Sequence, residues 1–404
     1  MPTDPLDRLD ELLPEGVRRV ASRETLIPSI ALRAKAVAQT KTGLVRADIG
    51  QIVGVDPAIE VPYGPPIGLD TLRASVAETY SLTYGLSLGA RNVAVCTGAA
   101  EALSVLFRCF ARDKVVALPR GHWENYANGV DLADGRVVVV DFFDAKGALD
   151  AEGLARRIRD DSVSVLVANF PCNPTGSVLD AAEAARLGAV ARDTGVVVIA
   201  DEVYARLRYD GNPPVTLLSH APGHVVVVGS ASKEYLLPGA RVGWALSARA
   251  ELTDVVLRKL IRANSASPNV IGQTRLLELV DRDLSDLRAG RPPGLVTRVR
   301  DEMRARRDRL LAVLDRHGFE TIGRAAHRPE GTIFLMAALP AWWKGTDMAF
   351  AEAAMEQGVV SVIPGRAFGL EGSLRFSYGA TSLADIDRLD ANLAALRARL
   401  AGGA

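Results

Sequence analysis

Lys233 stands in the stretch SASKEYLLPGARVGWAL, just past the apolar, β-branched run HVVVV, with Ser230, Ser232 and Arg241 near it in sequence. A neutral lysine amine condenses with aldehydes, and cationic or desolvated surroundings keep it neutral by lowering its pKa. Arg241, eight residues on, supplies a cation. Four other stretches have chemical potential of the same kind. NFPCNPTG ends a strand at Asn173, and Pro174, Thr175 and Gly176 force a turn. ADEVYARL sets Asp201 at a strand end and Tyr204 three residues later, so that an acid and a phenol can share one cleft. CTGAAEALSVLF opens a helix at Gly98, Ala99 and Ala100, whose free N–H groups and dipole suit a phosphate. HWENY, after VVALPRG, places Trp123 beyond a strand as a stacking surface or a core residue. Taken singly, each has a plainer reading: a solvated lysine, a generic turn, a helix-capping aspartate, an ordinary strand-to-helix turn, a buried tryptophan.

The elements that must position these residues are legible as short apolar runs between residues 90 and 250: NVAVC, KVVAL, RVVVVDF, VSVLVANF, GVVVIADE, HVVVVGS and RVGWALS. Continuous apolarity marks strands covered on both faces, and the helical patterns between them mark crossovers, which predicts a mostly parallel sheet of the α/β class. Ligands in such sheets gather at the carboxyl ends of the strands, where Lys233 falls. After residue 250 come long amphipathic helices such as RVRDEMRARRDRLLAVLDRHG, then short strands in GTIFLMAAL and SLRFSYG, which predicts a smaller α+β domain. RAGRPPGL, 288–295, is the expected joint. The expected division is a large domain over 51–290 and a small one formed by 1–50 and 291–404.

The 404 residues carry 48 basic and 48 acidic groups, a balance that gives no electrostatic preference for nucleic acid or an anionic membrane. No run of about 18 uncharged apolar residues occurs, so neither secretion nor membrane spanning is expected. Cys96, Cys109 and Cys172 have no CxxC or pairing spacing, and the histidines His122, His220, His224, His317 and His327 have no metal-ligand spacing. A cytoplasmic protein acting on small molecules, with no metal, is the expectation.

In chain order, Gly-Ala-Ala, Trp, Asn-Pro-Thr-Gly, Asp-x-x-Tyr, Ser-x-Ser-Lys-x₇-Arg and a late Arg375 resemble the signature set of class I/II aminotransferases dependent on pyridoxal 5'-phosphate (PLP), fold type I. YGPPIGLDTLR, 63–73, is similar to a segment of the aspartate aminotransferase-like subgroup, and the resemblance spans about residues 26 to 395. It implies that Lys233 forms the internal aldimine and shuttles the α-proton, and that Asp201 faces the pyridine nitrogen and keeps the ring cationic. It further implies that Tyr204 and Asn173 bind the ring's 3-oxygen, that Trp123 stacks on the ring, and that Gly98, Ala99, Ala100, Ser230 and Arg241 hold the phosphate. Tyr63 would reach that phosphate from the neighbouring subunit of a homodimer with shared active sites. Arg375, otherwise a surface strand charge, would grip the substrate carboxylate, assisted by Asn173 and the backbone at Gly50.

DIGQIVG keeps Gly50 but lacks the proline common in the family after that glycine, and neither Arg262 nor Arg275 is singled out as a reader of substrate side chains. The implied activity is transfer of an amino group between an L-amino acid and a 2-oxo acid. The same constellation also serves elimination, replacement or cyclisation, as in capreomycidine-forming or aminocyclopropane-forming relatives, because fold does not fix reaction type. A transcription regulator that senses PLP would need a DNA-binding domain ahead of residue 26, and none is expected.

Overall fold

The structure is a computed structural model that describes residues 5–22, 36–37, 39–40, 60–324, 328–357 and 359–402; Gly50 and His327 lie outside these residues. Seven of the apolar runs form one sheet: β1 (Val93–Cys96), β2 (Val115–Pro119), β3 (Arg136–Val140), β4 (Val163–Asn169), β5 (Val197–Asp201), β6 (Val225–Ser230) and β7 (Gly243–Ser247). Their order is β1-β7-β6-β5-β4-β2-β3. β3, β2, β4, β5 and β6 are mutually parallel, and β7 is the reversed strand, antiparallel to both β6 and β1.

Both faces of this sheet are covered, which is why its strands lack polar alternation. In β5, Val197 and Ile199 enter one apolar cluster while Val198 and Ala200 enter the other. Each fully buried valine of this kind stabilises the fold by roughly 1.5–3 kcal/mol relative to exposure. The run RVVVV departs from that expectation: it forms the edge strand β3, where Val139 is 38% exposed. An edge position leaves a β-branched run strand-forming without covering it.

The flanking helices start with α1 (Leu9–Leu12) and α2 (Glu15–Ser22), then α3 (Asp70–Tyr84), α4 (Gly98–Phe110), α5 (Glu124–Asp131), α6 (Ala151–Asp160) and α7 (Ala181–Thr194). After β6 come the single turn α8 (Ala231–Glu234), then α9 (Arg258–Ser265) and α10 (Val270–Arg288). Leu6, Leu9, Leu13 and Val17 pack into the cluster beside α4, so residues 5–22 lie on the seven-stranded sheet rather than on the smaller one. Their apolar face, spaced at three to four residues, needs that covering.

α10 ends before Gly290, whose φ of +69° turns the chain, and Pro292 and Pro293 precede α11 (Gly294–Arg316). The smaller sheet is antiparallel, ordered β10-β11-β9-β8, from β8 (Thr321–Ile322), β9 (Phe334–Ala338), β10 (Ile363–Pro364) and β11 (Ser373–Ser377). α12 (Asp347–Glu356) and α13 (Leu383–Gly402) complete this region. Tyr204, Leu207 and Tyr209, which follow β5, join its apolar cluster, so the loop after Asp201 ties the two sheets together.

Candidate active site

The carboxyl ends of the parallel strands lie along one edge of the large sheet. β1 points the same way, because it opposes β7, which opposes β6. Since β7 is reversed, its beginning lies at that edge: Gly243 pairs with both Cys96 and Ser230. Residues from Gly98 to Arg241 therefore converge through strand direction alone.

Gly98 opens α4 with φ +78°, and Arg241 enters β7 from the left-handed region at φ 51° and ψ 53°. A Cβ added to Gly98 would stand 2.6 Å from Nη2 of Arg241, and one added to Gly243 would stand 2.4 Å from the backbone nitrogen of Ala99. The two glycines thus let the guanidinium and the first turn of α4 close on one another. The Thr97 N–H is already taken by Oε2 of Glu101 at 2.6 Å, while Ala99 and Ala100 lie in the first turn, where amides lack intrahelical partners. Ser230 caps α8 through the Ser232 N–H at 3.1 Å and donates to the Ser232 hydroxyl at 2.9 Å. Amides, hydroxyls and a guanidinium make a donor set suited to a phosphate, in a cradle that a single extra methyl group would fill.

Asp201, the last residue of β5, is 4% exposed. Its Oδ2 accepts from the Tyr126 hydroxyl at 2.5 Å and its Oδ1 from the Val203 N–H at 3.3 Å. Burial pushes the carboxyl up to about 6, against the pull of Tyr126, the Val203 amide and the Lys233 charge. Asn169, one strand away in register with Asp201, donates to the Asp201 carbonyl at 2.9 Å and accepts the Asn173 N–H at 2.7 Å. It thereby fixes the loop that carries Asn173. Trp123 precedes α5 with its indole part-buried and edge-on to Tyr126 at 5.7 Å.

Lys233 lies on α8 with its amine 5.7 Å from the centre of the Tyr204 ring. Burial holds the amine below the usual lysine range; the Arg375 and Arg241 charges add to this, and Asp201 opposes it. Lys233 follows β6 and Asp201 ends β5, parallel neighbours whose carboxyl ends lie together, so the amine and the carboxyl share one side of the sheet. Arg375 reaches the cleft there from β11, stacked at 4.2 Å on Phe334 and 4.8 Å on Phe368. Its Nη1 donates to Oδ1 of Asn173 at 3.2 Å, while its buried Nε has no partner among the described residues. Burial lowers the Arg375 pKa, offset by Tyr204 and Glu124. A guanidinium with an unsatisfied buried donor is prepared for a carboxylate.

Tyr63 is 74% exposed. Its neighbour Gly64 lies against Val270 at the start of α10, and Asn269 beside it donates to the Ala240 carbonyl at 2.9 Å. Arg275 is paired with Glu278 on the exposed side of α10. His122 lies next to the cleft, facing the Pro119 carbonyl at 2.9 Å, with burial lowering its pKa. Sequence reasoning did not single out Tyr126, Asn169, Phe334 or Phe368. Tyr126 sits one helical turn beyond Trp123 in HWENY, a spacing that offered a signal.

The chemistry of the cleft fits PLP: donors for its phosphate, a buried carboxylate for its ring nitrogen, an amine for its aldehyde, and a spare guanidinium for a substrate carboxylate.

Residues 61–393 match the family described as "Aminotransferase class I and II". The aspartate/prephenate aminotransferase of Thermus thermophilus is 29% identical over 376 residues, covering 88% of this chain and 91% of that protein. A probable aspartate/prephenate aminotransferase of Thermus aquaticus is 31% identical over 322 residues, covering 78% of this chain and 79% of its own. The structure of Thermus thermophilus aspartate aminotransferase with maleate superposes with a TM-score of 0.75 at 27% identity, covering 94% of this chain and 98% of that one.

Proposed function

The chain belongs to the class I and II aminotransferases and is a PLP-dependent enzyme moving an amino group between an L-amino acid and a 2-oxo acid; from that premise we propose that the cleft around Lys233 is its active site. Bound there, PLP supplies an aldehyde to take the amino group and a ring to accept the electrons released when the α-proton leaves. Lys233 would hold it covalently. Its depressed pKa keeps a larger share of the amine neutral, able both to attack a carbonyl and to take a proton at Nζ. Asp201, steadied by Tyr126, would balance the protonated ring nitrogen. Tyr204 and Asn173 would bracket the ring's 3-oxygen, and Trp123 would cover one face and exclude water.

The Ala99 and Ala100 amides beside Gly98, the Ser230 hydroxyl and Arg241 would take the phosphate. Arg375, with Asn173, would orient the substrate carboxylate, and the backbone at Gly50 completes that reading. The observation that carries the proposal is that the pairing of β1, β7, β6 and β5 brings Gly98, Arg241, Lys233 and Asp201 to one end of the sheet, with the Lys233 amine 5.7 Å from the Tyr204 ring centre.

Exposed Val61, Tyr63, Leu236 and Ile271 support a homodimer in which Tyr63 serves the partner's phosphate site. The three buried, unpaired cysteines support a reducing, cytoplasmic setting, and among the described residues no helix is long and apolar enough to cross a membrane. The division at residue 290 into a large domain before it and a small one over 291–404 belongs to the same reading, with residues 5–22, expected in the small domain, packed on the larger body instead. The relatives are named for aspartate and prephenate, which makes aspartate the first donor to offer.

The test is to mix purified holoenzyme with aspartate or another single amino acid, without oxo acid, and follow the cofactor spectrum and the products. Stoichiometric conversion to the pyridoxamine form with release of one oxo acid is expected. Repeated turnover that releases ammonia or a side-chain leaving group would sink the reading.

A further inference from the structure

Next to Lys233 in the chain, at Glu234, begins a buried ionic cluster that the chemistry above does not use. Glu234 follows Lys233 directly and is 6% exposed. Its Oε1 accepts the Arg206 backbone N–H at 2.8 Å and its Oε2 the Arg206 Nε at 2.7 Å. Arg206, two residues after Tyr204, also donates through Nη1 to Asp283 of α10 at 3.0 Å and lies 5.1 Å over the Tyr235 ring. One side chain thus joins the loop that follows Asp201 and bears Tyr204, the turn bearing Lys233, and α10. The start of α10 in turn braces the Arg241 loop, through Asn269 to the Ala240 carbonyl and through Gly272, where a Cβ would stand 2.6 Å from that carbonyl.

α8 is a single turn of four residues followed by Leu236 at φ 56°. One turn has almost no helical stability of its own, so tertiary contacts must fix where its side chains point. Productive geometry requires reacting groups to be held within about 0.5 Å, and buried ion pairs are better suited to specifying an arrangement than to stabilising a fold.

We propose that Arg206 and Glu234 are positioning residues that set the Lys233 amine against Asp201, Tyr204 and Arg375. The proposal rests on the active-site reading above and adds to it the means by which the amine is placed.

The test uses holoenzyme carrying Glu234→Gln, which keeps the shape and one acceptor, or Arg206→Lys, which keeps the charge and loses the fork. Each variant is titrated for the pH midpoint of its bound-cofactor absorbance and assayed for kcat and KM. The expected result is a midpoint displaced by at least about half a pH unit and a kcat lowered about tenfold or more, with KM changed less than about threefold. Variants that load cofactor with unchanged midpoint and kcat would overturn the proposal, whatever their melting temperature. Should only one variant fold, it decides; should neither fold, the cluster is a requirement of folding and the proposal falls. Absence of cofactor absorbance in the unaltered protein would instead remove the active-site reading.

Discussion

The phenol of Tyr126 donates to Oδ2 of Asp201 at 2.5 Å, inside a site where burial already raises that carboxyl to about 6. The bond stabilises the charged form and so opposes the effect of burial. Tyr126→Phe removes it and sends the pKa higher, leaving Asp201 protonated and unable to balance a ring cation over more of the neutral range. The expected outcome is a kcat/KM reduced about 10- to 100-fold at pH 7, corresponding to ~1.4–2.8 kcal/mol, with the acid limb of the pH profile displaced upward. A profile of kcat/KM against pH measures both, and an unmoved limb would count against this role for Tyr126.

Lys233→Ala separates folding from chemistry. The side chain is only part-buried and α8 is anchored by Glu234 and Ala231, so the variant should fold. Borohydride treatment should no longer fix cofactor to the protein, and turnover should fall by roughly 10²–10⁴-fold or more through loss of the proton carrier alone. Mass spectrometry of the reduced protein reads the first effect; a variant that still fixes cofactor refutes the assignment.

Much of this arrangement was legible in the sequence because strand ends at one edge of a parallel sheet are adjacent whatever their separation in the chain. The apolar runs marked those ends at Cys96, Asp201 and Ser230, with the candidates at or just beyond them, whereas the end expected at Asn173 falls four residues earlier, at Asn169. The edge strand β3 was misread as covered because apolarity reports strand propensity and burial together. β8 and β10, two residues each, are too short to show any period. Tyr126 and Asn169 act through Asp201 and Asn173, so their importance depends on which residue faces them. The stacking of Arg375 between Phe334 and Phe368 depends on pairing in the smaller sheet, where no local pattern reveals it.

Arg375→Lys tests carboxylate recognition. A lysine keeps the charge, but it cannot bond Asn173 and a carboxylate in the planar geometry of a guanidinium, and it stacks less well on Phe334. The expected loss is about 10²-fold in kcat/KM for the amino acid, ~2.8 kcal/mol, with cofactor affinity almost unchanged. Equal losses in substrate and cofactor binding would place Arg375 elsewhere.

Glu202 adjoins Asp201, and its Oε1 accepts from Thr216 at 3.0 Å and Leu217 at 2.9 Å. Its Oε2 is buried without a partner among the described residues, and burial pushes its carboxyl up to about 8. A carboxyl raised in the fold above its unfolded value of 4.5 contributes stability fully present below 4.5 and lost as pH rises towards 8. Glu202→Gln cannot titrate. Relative to that variant, the native protein should lose stability progressively between pH 5 and about 8 in urea melts, with the difference levelling off above the folded pKa. Parallel curves for the two proteins would show that Glu202 is not protonated in the fold.

Two glycine substitutions at the proposed phosphate cradle should fail differently. Gly98→Ala puts a methyl 2.6 Å from Nη2 of Arg241, the far end of a flexible side chain, at a φ of +78° that costs an alanine roughly 1–2 kcal/mol. The guanidinium can swing away, so the protein should fold with a modestly lower Tm while cofactor affinity drops about 10- to 100-fold, as expected for a displaced charged donor worth ~1.5–3 kcal/mol. Gly243→Ala instead drives its methyl to 2.4 Å from the Ala99 backbone nitrogen, and neither β7 nor α4 can yield without opening the sheet edge. Its chief effect should be on Tm, with cofactor affinity lost as a consequence. Fluorescence titration with PLP alongside thermal melts distinguishes the two, and a Gly98→Ala protein that binds cofactor as tightly as the native one would show that Arg241 is not part of the phosphate site.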